Sequence, residues 1–160
     1  MLLDFNDDDR RGLAYFWELL DAHRDELNAK LLEWVKDQPA FVQLLRSMSP
    51  QQMAQSQEHS TALQKKALID GQWQEYLADA REQGTRYAKM GIEFESWFEV
   101  LRAYRVVLAP LAKTHFKGDI DKIMRALAGG DRFIDIGMAT IGAAYLEAKQ
   151  DIISSQGRAI

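Results

Sequence analysis

Apolar residues recur at helical spacing along almost the whole chain, and this pattern constrains the fold more than any other feature of the sequence. The clearest run is Trp97, Leu101, Tyr104, Leu108 and Leu111, whose steps of four and three residues place one helix face against a core. Alternation with a period of two, which a half-buried strand would show, is absent over any useful length. The sequence therefore predicts an all-α fold of about six to eight helices.

Capping residues and glycines predict where the helices begin, bend and end. Asn6 is placed to cap a first helix, and the polar segment 21–26 marks either a bend in that helix or a junction with a second one. Ser49 caps a later helix that carries proline at its first position. A final helix begins near Ile120, and we expect it to be interrupted or bent at the glycine pair 129–130.

Composition limits the classes of protein to which the chain can belong. A chain of 160 residues with 47% hydrophobic content is expected to form one domain. Its net charge of -4 predicts no nucleic-acid partner, and the apolar stretch 106–112 is too short for membrane insertion. The absence of cysteine fits a reducing compartment, so we expect a cytoplasmic protein.

Motifs of common enzymes and metal sites are missing from the sequence. None of His23, His59 and His115 has an acid three residues before it or a second histidine four residues after it, as local metal motifs require. Phosphate-loop, dinucleotide-binding and nucleophile-elbow patterns are also missing. The sequence predicts a protein that is not an enzyme, with His23 and His115 at the surface near helix ends.

The segment around Tyr87 carries the most informative pattern. Tyr87 is followed four residues later by Gly91 and then by the aromatic pair Trp97 and Phe98. Together with the helical pattern from about 19 to 148, this order resembles the sensor domain of globin-coupled sensors. In that family a histidine that ligates haem iron precedes the same glycine and aromatic pair. The resemblance implies a globin fold and a role in signal transduction.

The resemblance also identifies the positions that would surround a haem pocket. Tyr87 stands where the family has its histidine, and Leu32, seven residues before Pro39, stands where the family tends to have an oxygen-binding tyrosine. A phenol must lose a proton with a pKa of about 10 before it can replace the imidazole. We therefore expect no cofactor, with Tyr87 as a buried aromatic residue in the pocket. The alternatives are an exposed Tyr87 and a haem-binding gas or redox sensor with Tyr87 or His59 as the ligand.

Small residues predict a close helix pairing near the end of the chain. Gly137, Thr140 and Ala144 share one helix face, and close packing of this face within the chain is one interpretation. The other is a homodimer, in which the long C-terminal helix and the preceding helix meet their counterparts through these three residues, Trp97 and Leu101.

The resemblance completes the predicted organisation of the chain. Residues 1–153 would form the sensor-globin domain, and residues 154–160 would begin a linker to a missing C-terminal output domain. That output domain would be a kinase, a cyclase or a similar enzyme. The predicted function is a cytosolic regulatory sensor domain that signals through its dimeric helix interface, and the alternative from another class is a helical protein-interaction module without a ligand.

Overall fold

The fold consists of helices alone throughout residues 2–159, which are the residues that the computed structural model describes. No strand occurs within that range, which confirms the all-α prediction. The described residues form six helices, and this number lies within the predicted range. They are α1 (Asp7–Val35), α2 (Pro39–Arg46), α3 (Pro50–Leu68), α4 (Gln74–Lys89), α5 (Glu95–His115) and α6 (Ile120–Ala159).

Two of the predicted helix starts are closed by capping boxes. The Asn6 side chain accepts a hydrogen bond from the backbone N–H of Asp9 at 2.8 Å, and the Asp9 carboxylate accepts one from the Asn6 N–H at 3.0 Å. Ser49 and Gln52 make the same reciprocal pair at the start of α3. Each box satisfies two N–H groups that the first turn of a helix leaves without a partner.

α1 is bent within the polar segment, which is one of the two predicted alternatives. His23 lies inside it with a φ of −124° and a ψ of 19°, outside the helical range, so the two halves of α1 run in different directions. Leu13, Phe16 and Leu20 are buried before the bend and Leu27 is buried after it. The bend therefore lets one long helix follow the core through a change of direction.

α6 is a single helix, and the predicted interruption at Gly129 and Gly130 is wrong. These glycines lie where α1 crosses α6. A Cβ added at Gly129 would collide with the backbone of Gly12 and would lie 2.7 Å from the backbone nitrogen of Leu13. A Cβ at Gly130 would lie 3.0 Å from the Phe16 ring. Because only glycine leaves room for this approach, the pair serves helix packing.

The predicted linker begins inside α6. The helix continues without a break from Ile120 through residues 154–159, so most of the segment predicted as linker is helical. Residue 160, the last of that segment, lies outside the described residues. The position of a domain boundary at 153 therefore stays a prediction.

The core consists of two groups of buried side chains. The larger group joins α1, α5 and α6 and includes Phe16, Leu19 and Ile136, whose side chains are almost fully buried. The smaller group surrounds Tyr87 and is here called the Tyr87 cluster; its buried members are Phe41, Tyr87, Ala88, Ile92, Tyr145 and Ala148. This second cluster connects α2, α4 and α6 and forms one wall of the candidate site.

Candidate functional site

Tyr87 lies in the protein interior with only 7% of its surface exposed. Its ring stacks on Trp97 of α5, with 4.4 Å between ring centroids and 28° between ring planes. Phe41 of α2 meets the same tryptophan edge-on at 4.7 Å. Tyr87 is therefore one of three aromatic rings, from three helices, that pack together, and this packing fixes the orientation of its phenol. Tyr87 occupies the position of a packed aromatic residue, which was the favoured interpretation of its sequence pattern.

The Tyr87 hydroxyl has a specific partner. It donates a hydrogen bond to Oε1 of Gln83, one turn earlier in α4, at 3.1 Å. Burial raises the pKa of the Tyr87 phenol, the nearby Arg86 guanidinium lowers it by a smaller amount, and Asp79 raises it further. Since the net direction is upward, the phenol keeps its proton at neutral pH.

A cleft of about 460 Å³ opens beside Tyr87, between α3 and α4 and next to the end of α2. We call it the α3–α4 cleft. Leu44, Met48 and Met90 contribute its apolar walls. The polar walls consist of Ser47, Gln52, Ser56, Ser60, Gln83 and Arg86. The cleft is large enough for a small organic molecule, and its hydroxyl and amide groups can donate and accept hydrogen bonds.

A chain of polar contacts leads from Tyr87 to the protein surface along α4. Gln83 accepts from the Tyr87 hydroxyl and donates through Nε2 to Asp79 Oδ2 at 2.7 Å. Asp79 Oδ1 lies 3.8 Å from Nε2 of His59, whose side chain is 64% exposed. The buried phenol, the amide, the carboxylate and the surface imidazole thus form one connected path across α3 and α4.

Two of the predicted pocket residues lie outside the cleft. Leu32 is at the surface with 44% of its area exposed, and it is not among the residues that line the cleft. His59 follows Gln83 and Asp79 at the surface end of the polar path, and Ser56 and Ser60 supply the wall of α3 instead. Tyr87 is thus buried beside the cleft, whereas Leu32 and His59 are not among the residues that line it, and their role as cofactor-binding positions stays a prediction.

Residues predicted at a dimer interface are largely used inside the chain. Gly137 is buried against the Tyr76 hydroxyl, with 2.7 Å between that oxygen and an added Cβ. Ala144 packs against Gly84, and Trp97 stacks on Tyr87. These contacts join α4, α5 and α6 of one molecule, but Trp97 and Ala144 remain half-buried, and the place of the three residues in a dimer interface stays a prediction.

The other two residues of that prediction lie at partly exposed positions. Thr140 is half-buried, and its hydroxyl donates to the Ile136 carbonyl at 2.9 Å. Leu101 is also half-buried. Their place in a dimer interface stays a prediction.

Sequence reasoning missed two groups of polar residues. Gln83 lies four residues before Tyr87 in α4, a spacing that places both on one helix face and could have identified the pair. His23 and His115 were expected at the surface, but their rings meet at 3.1 Å between Nε2 and Nδ1. They are separated by 92 positions along the chain, so no local pattern predicts that contact.

The six helices in this order, with a bent first helix and no strand in residues 2–159, are consistent with an all-α globin-like fold. The Protoglobin family model matches residues 1–151, and the chain belongs to this family. The resemblance to globin-coupled sensors that the Tyr87 segment indicates is thereby confirmed at the level of the family. No match was found among the curated proteins.

The part of the chain that the structure describes has neither a membrane-spanning helix nor a metal-binding cluster of three or more side chains. No helix within residues 2–159 has the length and the apolar character that crossing a bilayer requires. The same residues contain no group of three or more His, Asp or Glu side chains placed to hold a metal ion.

Proposed function

We propose that this chain is a cytosolic regulatory sensor domain that works without haem. A signal molecule in the α3–α4 cleft changes the contacts of Tyr87, and α6 passes the change to a C-terminal output domain through a dimeric helix interface. The single observation that carries the haem-free part is the state of Tyr87. Its phenol is buried, protonated, hydrogen-bonded to Gln83 and stacked on Trp97.

The donor set around the cleft does not fit haem. A tyrosine ligates haem iron as a phenolate, and burial opposes that ionisation by raising the pKa of Tyr87. Arg86 lies over the ring at 5.7 Å and favours the phenolate, but its effect is smaller than that of burial. His59 is mostly exposed and directs Nε2 towards Asp79. Neither predicted ligand therefore offers a free donor atom to an iron in the cleft.

Contacts between α4 and α6 support a role for α6 in transmission. Tyr145 of α6 donates a hydrogen bond of 2.6 Å to the carbonyl oxygen of Ile92, in the turn that follows α4. Gly84 of α4 lies directly against Ile141 and Ala144 of α6. Helix interfaces packed this closely tend to switch between discrete arrangements. A shift of α4 at Tyr87 would therefore move α6 as well.

Exposed apolar side chains on α5 and α6 support the dimeric part of the proposal. Phe98 and Val106 of α5 are 54% and 69% exposed, and Leu146 and Ile153 of α6 are 63% and 66% exposed. Side chains of this kind are candidates for burial in a subunit interface. None of these four residues is among the five predicted for that interface. A dimer formed through them would therefore use a neighbouring face of the same two helices. The output domain, a kinase, a cyclase or a similar enzyme, is implied by the resemblance to globin-coupled sensors.

The cleft favours a sensor over an interaction module without a ligand. A module of that kind needs no pocket for a small molecule. Tyr87, however, borders an open cleft of about 460 Å³ with both apolar and polar walls. The ligand class that such walls suit is a small molecule with an apolar body and hydrogen-bonding groups.

Haem titration of the purified chain tests the proposal. We expect no Soret band after purification and no saturable band on adding haem. This result should hold for the wild type, for Tyr87→Phe and for the matched control Tyr15→Phe, which changes a half-buried tyrosine on α1. A stoichiometric band that Tyr87→Phe abolishes and Tyr15→Phe preserves would show that Tyr87 ligates haem, contrary to the proposal. A band that persists in both variants but disappears in His59→Gln would identify His59 as the ligand and would also contradict it.

Solution mass tests the dimeric part separately. We expect a mass of twice 18.3 kDa, and we expect Leu146→Glu to reduce it to that of one chain. A wild-type chain that is monomeric at all accessible concentrations would refute signalling through a homodimer while leaving the haem result unaffected.

A further inference from the structure

His23 and His115 bring two imidazole rings together at a joint of the fold. His23 is the residue at which α1 bends, and His115 is the last residue of α5. His23 Nε2 lies 3.1 Å from His115 Nδ1, and the ring planes are nearly perpendicular at 84°. The two side chains are 25% and 19% exposed, so water reaches the pair from one side.

Each outer ring nitrogen faces a carboxylate. His115 Nε2 lies 3.2 Å from Oε1 of Glu18, and His23 Nδ1 lies 3.6 Å from Oε2 of Glu26. An ionised carboxylate can only accept, so each one favours an N–H on the outer nitrogen of its imidazole. The inner nitrogens are then left facing each other with room for one proton between them.

We propose that the inner nitrogens of His23 and His115 bind a divalent transition-metal ion of the kind that prefers imidazole, such as Zn²⁺. Metal–nitrogen bonds of about 2.0–2.1 Å at angles of about 90–110° separate the two nitrogens by about 2.9–3.4 Å. The observed separation of 3.1 Å lies inside this range. On binding, the ion forms one bond to each inner nitrogen and releases the shared proton to solvent.

The carboxylates complete the pattern of a metal-bound histidine. Histidines that ligate metals commonly donate their other N–H to a carboxylate, which fixes the tautomer and makes the ligating nitrogen more basic. Glu18 holds this position for His115, and Glu26, which also accepts from Lys30, lies 3.6 Å from the corresponding nitrogen of His23. Arg24, the cation next in sequence to His23, is turned away, because it stacks over Trp17 at 5.2 Å and donates to Gln64.

The site has two protein ligands, in agreement with the absence of larger metal clusters from residues 2–159. Water would complete the coordination on the exposed side, so the ion would be exchangeable. Its effect on the fold would be a cross-link between the bend of α1 and the end of α5. This site is separate from the α3–α4 cleft, none of whose lining residues it shares.

Isothermal titration with Zn²⁺ tests the proposal on the whole chain. We expect one ion per chain for the wild type, and binding weakened at least tenfold in His23→Gln and in His115→Gln. Glu18→Gln should weaken binding by a smaller factor than either histidine variant, because it acts through His115. The control is His59→Gln, which replaces a histidine that also faces a carboxylate but has no second imidazole. It should bind as the wild type does.

NMR of the wild type provides a measurement that does not depend on the folding of a variant. One equivalent of Zn²⁺ should shift the ring protons of His23 and His115 and leave those of His59 in place. The proposal is wrong if no saturable binding occurs. It is also wrong if the His59 signals alone move, or if His23→Gln and His115→Gln, each shown by circular dichroism to be folded, bind as tightly as the wild type.

Discussion

Replacing Gly84 with alanine should separate α4 from α6. A Cβ at this position would collide with the carbonyl oxygen of Ile141 and would lie 3.0 Å from the Cβ of Ala144. The carbonyl belongs to the backbone of a long helix, so it cannot rotate away as a flexible side chain could. The two helices must therefore move apart along the interface that α4 shares with α6.

The magnitude follows from two opposing effects. Overpacking a well-packed core costs about 1–3 kcal/mol, and the upper part of that range applies where the opposing atom is backbone. Alanine in place of glycine inside a helix stabilises the folded state by about 1 kcal/mol, because alanine has the higher helix propensity. We expect Gly84→Ala to lower the free energy of unfolding by about 2 kcal/mol. In a chain of 160 residues this corresponds to a fall in Tm of about 4–8 °C.

Urea denaturation followed by circular dichroism measures this change, and Gly157→Ala is the matched control. Gly157 is also a helical glycine, but a Cβ there meets no atom within 4 Å. We expect the control to be as stable as the wild type or slightly more stable. If Gly84→Ala matches the control, α4 and α6 are not in close backbone contact, and the proposed transmission from Tyr87 to α6 loses its structural basis.

Three further predictions concern buried contacts. Gly129→Ala should lower the free energy of unfolding by about 2 kcal/mol in urea denaturation, because its Cβ would collide with Gly12; an unchanged midpoint would contradict the close crossing of α1 and α6. Tyr145→Phe should lower it by about 1–2 kcal/mol in the same assay, since the buried carbonyl of Ile92 loses its 2.6 Å hydrogen bond. Burial raises the pKa of three phenols, those of Tyr76, Tyr87 and Tyr104. A raised folded-state pKa contributes stability below the ordinary phenol pKa of about 10, and that stability is lost as the pH rises further. The phenolate signals of these three residues, assigned by Tyr→Phe variants, should therefore appear together with unfolding, and ionisation of any of the three in the folded chain would contradict its burial.

Local signals in the sequence predicted the helix starts correctly. The capping boxes at Asn6 and Ser49 are formed by residues three positions apart, so every atom involved lies within one short segment. The polar residues around His23 similarly indicate a bend or a junction at that position. Features of this kind depend on short-range hydrogen bonds, and a sequence contains all the information that they need.

Contacts between distant residues escaped prediction. The glycines at 129 and 130 have low helix propensity, which predicts a break, but the close approach of Gly12 determines their role. Counting back from Pro39 places Leu32 in the pocket, yet its side chain is 44% exposed and does not line the α3–α4 cleft. Positions along a helix are predictable, whereas the direction that each position faces depends on packing against other helices.

The contacts of Tyr87 that argue against haem ligation in our proposal are also the ones that would connect the cleft to α6. Gln83 both lines the α3–α4 cleft and accepts the hydrogen bond of Tyr87, so a ligand that bonds to this amide competes directly with the phenol. Tyr87 cannot move alone, because its ring is stacked on Trp97 and its cluster includes Tyr145 of α6. Under the proposed function, a change in one hydrogen bond at the cleft wall would be passed through these packed rings to α6.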